Sequence, residues 1–179
     1  LVCGEQGLGD HIMFTSCLPD LIARGARCAL ALDLRLTGLL QRSFPETEVL
    51  HGDDFGRPRA FDYQIPVGSL PRQFRNAAPD FPEHFGYLKA DPHRVAYWKG
   101  RLQALGDGMK IGISWRGGTL NTRRILRSIG LEDLVLPVCQ HGRHFISLQY
   151  TDCRAELDAM HAAHGVTVHH WPEAIADYD

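Results

Sequence analysis

The stretch Leu1-Val2-Cys3-Gly4-Glu5-Gln6-Gly7-Leu8-Gly9-Asp10-His11, running on into Ile12-Met13-Phe14, decides how the chain folds. A short apolar run, closely spaced glycines and then a helical apolar pattern read as strand, tight turn and helix, the first unit of a Rossmann-type α/β domain. Glycines at such a turn admit positive φ and let the backbone approach a ligand, while the new helix directs unpaired N–H groups and its positive dipole end into the same space. Gly7, Gly9 and His11 therefore form a candidate active-site turn, and Asp10 is either a cap on the helix or a working carboxylate. The order Gly4-x-x-Gly7-x-Gly9 departs from the dinucleotide fingerprint G-x-G-x-x-G, and no clean strand-end acidic residue follows about twenty residues on, although Asp33 is near. The glycine-rich turn of methyltransferases that use S-adenosylmethionine is an equally loose match.

Outward from that turn the pattern continues as an α/β unit. Ile12 to Arg24 has helical apolar spacing with Pro19 as a kink or restart, and Gly25 closes it. Cys28 to Leu32 is an apolar run suited to a strand buried on both faces, Thr37 to Ser43 a brief helix, and Val49-Leu50 and Tyr63-Gln64-Ile65 are further strands. The order β-α-β-α-β predicts a parallel sheet. From Pro66 to Pro92, prolines interleaved with Phe74, Phe81, Phe85 and Tyr87 exclude regular structure over the whole segment, which reads as a surface connection or an acceptor-facing loop containing Gly68 and Ser69. Asp91-Pro92 opens a helix that runs to Gly106, and Gly106-Asp107-Gly108 is a linker.

The pattern then begins again, with Lys110 to Trp115 as a strand, a helix around Leu131 to Cys139, a strand His144 to Leu148, a helix Asp152 to His164 and a strand Val166 to His169. Two domains follow: 1–106 as an N-terminal Rossmann-like unit and 107–179 as the first part of a second one. Two such units in tandem place a ligand crevice between them, at the carboxyl ends of both sheets. Directly after the first strand of the second unit, Trp115 to Ser128 holds four of the nineteen Lys and Arg residues. In a nearly neutral chain that is a local positive site. Arg116 and Arg127, the N–H groups of Gly117 and Gly118 and the hydroxyls of Thr119 and Ser128 suit a diphosphate, against the plainer reading of a solvated basic loop.

Composition removes other classes. A net charge of -2 leaves no global electrostatic case for nucleic acid or an anionic membrane, and a 44% apolar, 22% charged chain of 179 residues supports a buried core. Five cysteines without a C-x-x-C pair fit a reducing compartment. No run approaches the ~20 apolar residues of a membrane span, so a cytoplasmic protein is expected. His161 and His164 with His169 and His170 lack the acidic partner of a zinc helix, and no metal site is expected; His11 is the histidine placed near a substrate. The chain opens inside its first strand and stops where a further helix would begin, as a segment of a longer protein would.

Taken together, Gly4 to Asp10 with Leu18-Pro19, Ile111 to Gly118 with Arg127-Ser128, and Ile146-Ser147-Leu148-Gln149-Tyr150 resemble the glycosyltransferase region of bacterial tetratricopeptide-repeat proteins. That region is similar to the heptosyltransferases of lipopolysaccharide synthesis, which have the GT-B fold. The resemblance implies an inverting, metal-independent transfer of a sugar from a nucleotide-sugar donor, used as substrate with no cofactor, to a saccharide or protein acceptor. It assigns the general base to Asp10 and the basic contact to the donor diphosphate to Arg127, where heptosyltransferases carry Lys. It also implies that the rest of the nucleotide-holding domain lies outside these residues, so that the segment alone does not turn over. The competing classes are a methyltransferase or dinucleotide-binding domain built on the opening turn, and a non-catalytic nucleotide-fold binding module.

Overall fold

The computed structural model describes residues 1–50, 59–83, 86–117 and 124–176. Its contacts divide the chain into two compact units, Leu1–Val95 and Ala96–Tyr178, where the sequence places the division at 106/107. Each unit is α/β with a wholly parallel sheet among its described residues.

In the first unit, β1 (Val2–Cys3), β2 (Ala29–Ala31), β3 (Glu48–Val49) and β4 (Ile65–Pro66) lie in the order β3-β2-β1-β4. The chain steps outward from β1 to β3 and then returns to the far side of β1, so β1 and β4 flank a topological switch point. In open α/β sheets, ligands bind beyond the carboxyl ends of the strands at such a point. β1 leads into α1 (Leu8–Thr15), which begins earlier than the apolar periodicity suggests; α2 (Leu18–Ala23) restarts with Pro19 in its first turn, and Gly25 follows at φ +84°, the left-handed exit that glycine accepts readily. After α3 (Thr37–Ser43) and β4 come a 3₁₀ turn at Val67–Ser69 and the single-turn α4 (Pro71–Phe74), the broken texture expected of the proline-rich stretch. The core is a cluster of Val2, Leu18, Leu30, Leu36, Leu40 and Val67, all nearly inaccessible.

α5 (Pro92–Gln103) is capped by Asp91, whose Oδ1 accepts the N–H groups of His93 and Arg94 at 2.7 and 3.2 Å; these bonds hold its carboxyl below the usual range. The second unit's sheet has the order β5-β6-β7, with β5 (Met109–Ile113), β6 (Arg143–Ser147) and β7 (Val168–His170). Between them run a 3₁₀ turn at Arg124–Arg127, α6 (Leu131–Val135) and α7 (Arg154–His164), and α8 (Glu173–Ala176) follows β7. Trp115, Val135, Phe145, Cys153 and Met160 form its core. Among the described residues, no helix is long and apolar enough to cross a membrane.

Candidate functional site

At the carboxyl end of β1, Gly4 N–H donates to Ala31 O at 2.7 Å, which keeps the exit from the strand tied to β2. A Cβ on Gly4 would lie 2.7 Å from Cε1 and 2.8 Å from Nε2 of His11, so glycine is required here because an imidazole lies against the backbone. His11 is buried; its Nδ1 accepts the Asp33 N–H at 3.2 Å, which leaves Nε2 as the protonated nitrogen of a neutral ring. That nitrogen is buried without a hydrogen-bond partner among the described residues. Gln6 follows at φ +63°, the one non-glycine residue with positive φ among those described, and such a conformation stores about 1 kcal/mol or more of strain.

Asp10 occupies the third position of α1, with Gly7 as the N-cap. Its Oδ2 accepts the Gly7 N–H at 3.0 Å, while Oδ1 enters no hydrogen bond among the described residues. The two readings of this residue meet in one side chain: one oxygen fixes the carboxylate at the helix start and the other is open to take a proton. Gly9 is exposed, with nothing within 4 Å of where its Cβ would stand. Across the switch point, Glu5 Oε1 accepts the Gly68 N–H at 3.2 Å, and a Cβ on Gly68 would come within 2.5 Å of that oxygen. Beyond β2, Asp33 takes a two-point fork from Arg35 (Nε to Oδ1 2.9 Å, Nη2 to Oδ2 2.7 Å) and the Arg35 N–H. These bonds, chiefly the guanidinium fork, hold its carboxyl down at about 2. Three amides at this edge, those of Gly7, Gly68 and Arg35, are thus engaged by carboxylates.

The second unit ends its first strand differently. Trp115 O accepts the Ile129 N–H at 2.9 Å, and Arg116 bridges antiparallel to Ser128, so the segment returning from Arg127 is stitched to the one leaving β5. Arg116, Gly117, Arg127 and Ser128, four of the residues expected to meet a diphosphate, line one open depression of about 370 Å³. Gly118 and Thr119 lie outside the described residues. The guanidinium of Arg116 is turned into the protein: Nη2 lies 2.9 Å from Glu156 Oε2 and 2.7 Å from Asp152 O. Arg127 is exposed and pairs with no acidic group among the described residues. Sequence reasoning assigned no role to Gln149, which is fully buried and bonded to the backbone of both Trp115 and Arg116, nor to Glu156, which accepts Trp115 Nε1 at 3.3 Å. The available signals were its place two residues beyond β6 and within the Ile146–Tyr150 stretch that carries the resemblance.

The remaining histidines take separate partners. His161 Nδ1 meets Thr167 Oγ1 at 3.3 Å, His164 pairs with Glu132 at 3.2 Å, and His170 Nδ1 lies 3.8 Å from Cys153 Sγ. His169 stacks between His144 and Trp171, its pKa lowered first by burial and then by His144. Among the described residues, no three His, Cys, Asp or Glu groups converge as a metal would require.

Over its whole length the chain is 36% identical, across 200 aligned positions, to the protein FlbA of Caulobacter vibrioides, and it spans 33% of that relative. No family model and no solved structure matches it.

Proposed function

We propose that this chain carries the acceptor-side base and a donor-diphosphate contact of an inverting, metal-independent glycosyltransferase of the GT-B type. The observation that carries the reading is the Asp10 carboxylate, at the switch-point edge of a parallel sheet, with one oxygen anchored to Gly7 N–H and the other open. In the reaction, the open oxygen takes the proton of an acceptor hydroxyl as that hydroxyl oxygen attacks the anomeric carbon. The bond from the anomeric carbon to the diphosphate breaks with inversion, and the nucleoside diphosphate leaves. Its developing charge needs fixed cations and N–H groups. Arg127, with Gly117 and Ser128 around the same depression, supplies groups of that kind.

The same edge argues against a dinucleotide site at the opening turn. A pyrophosphate seeks free amides at a helix start, and here those of Gly7 and Gly68 face Asp10 and Glu5, whose charges repel an anion. The acceptor is a saccharide or a protein hydroxyl.

The test is release of nucleoside diphosphate from a panel of nucleotide sugars by the full-length protein. Asp10→Asn should lower turnover on the order of 10²- to 10⁴-fold. Transfer by Asp10→Asn at the wild-type rate would remove Asp10 as the base. Thermal stabilisation by NAD or S-adenosylmethionine, with none by nucleoside diphosphates, would favour the competing class.

A further inference from the structure

Gln149 sits two residues beyond β6 with no accessible surface, and its side-chain amide is bonded at both ends. Oε1 accepts the backbone N–H groups of Trp115 at 3.3 Å and Arg116 at 3.0 Å, with the Ser114 hydroxyl at 3.5 Å. Nε2 donates to Arg116 O at 3.0 Å and to Thr151 Oγ1 at 3.3 Å. The partners fix the orientation: two backbone donors demand the oxygen, and a carbonyl demands the nitrogen. One side chain from the end of β6 therefore grips both the N–H and the C=O of Arg116, in the turn that lines the depression beyond β5. Asparagine would be a methylene short of this span. Leucine or methionine would leave the two N–H groups and the Arg116 carbonyl without these partners.

Glu156 completes the grip from α7 by holding Trp115 Nε1 and the Arg116 guanidinium. The backbone of this turn is thus set from beneath, by groups that a ligand in the depression does not touch, while Arg127 stays exposed on its rim.

We infer that Gln149 is a positioning residue for anion binding: it presets the Ser114–Arg116 turn so that a donor diphosphate meets an already formed depression. This rests on the transferase reading for the identity of the anion, and on the hydrogen-bond geometry for the presetting. Such presetting lowers the ordering cost of binding, so its loss weakens affinity rather than the chemical step.

Two measurements on the full-length protein test it. Hydrogen exchange of the free protein should show the Trp115 and Arg116 amides already protected, with little change when a nucleoside diphosphate is added; amides that exchange freely until the ligand arrives would overturn the inference, and no variant has to fold for that arm. Calorimetric titration with uridine, guanosine and cytidine diphosphates should then show Gln149→Met binding about tenfold more weakly than wild type, with KM raised and kcat changed less, while Gln149→Glu binds better as the pH falls and its carboxyl regains a donor proton. Wild-type affinity of Gln149→Met, or of Gln149→Glu at a pH where its carboxyl is ionised, would overturn the role of Gln149. Binding of none of the three diphosphates by the wild-type protein would instead remove the transferase reading and the anion with it.

Discussion

The carboxyl edges of the two sheets are built from similar parts and finish with opposite electrostatics. Beyond β1 and β4, the free amides of glycine turns are closed by carboxylates, Asp10 on Gly7 and Glu5 on Gly68. Beyond β5, the turn is closed by a neutral amide, Gln149, and the carboxylate of Glu156 is paired with Arg116. The first edge therefore presents negative charge and a proton acceptor; the second presents a cation, Arg127, beside a depression. The general lesson is that a glycine-rich turn after a parallel strand does not announce a phosphate site. What satisfies its N–H groups decides which ligand it takes.

Substitutions at Gly4 and Gly9 of the first turn, and at Gly68 in the turn after β4, break that comparison most sharply. Gly4→Ala drives a Cβ into the His11 ring and should destabilise the unit by about 1–3 kcal/mol, seen as an earlier thermal transition. Unchanged stability would mean that the ring has room to move. Gly9→Ala should do the reverse: it lies inside α1 with open space before it, so alanine should stabilise by about 0.5–1 kcal/mol, while transfer falls because the methyl group enters the space an acceptor would use. A rise in stability without loss of transfer would move the acceptor elsewhere. Gly68→Ala is intermediate on the same thermal measurement, since the Cβ clashes with the flexible end of Glu5 and only touches the Phe14 ring at 3.4 Å.

A smaller effect concerns Asp33. Its carboxyl is held at about 2, below its ordinary 3.8, so the Arg35 fork stabilises the fold above the ordinary value and that contribution fades as the pH falls towards about 2. Acid unfolding of wild type should accordingly be steeper between about pH 4 and about pH 2 than that of Asp33→Asn, and equal slopes would show that the fork contributes nothing.

Local signals carried much of this architecture. The Gly4–Asp10 spacing located the first strand, turn and helix, Pro19 marked a real helix restart, and Asp91-Pro92 a real cap, because each depends on residues a few positions apart. The strands Cys28 to Leu32 and His144 to Leu148 were found with ends one residue off, as hydrogen bonding rather than apolarity sets where pairing stops. The order β3-β2-β1-β4 was not legible, since pairing is decided across the sheet. Nor were the partners at the site. Arg116 looked like a ligand-facing cation until Glu156 and Asp152 reached it from well down the chain, and Gln149 received no role because its burial depends on partners more than thirty residues away. Gly4 looked like a hinge for a ligand, whereas seven residues later His11 folds back to fill that space.

The most direct test of the division between the two edges is a pair of calorimetric titrations of nucleoside diphosphate into Asp10→Asn and Arg127→Ala in the full-length protein. A charge-assisted contact at an exposed arginine predicts affinity about tenfold weaker for Arg127→Ala, with Asp10→Asn binding as tightly as wild type. Weakened binding by Asp10→Asn together with unchanged binding by Arg127→Ala would place the anion at the first turn and contradict the account.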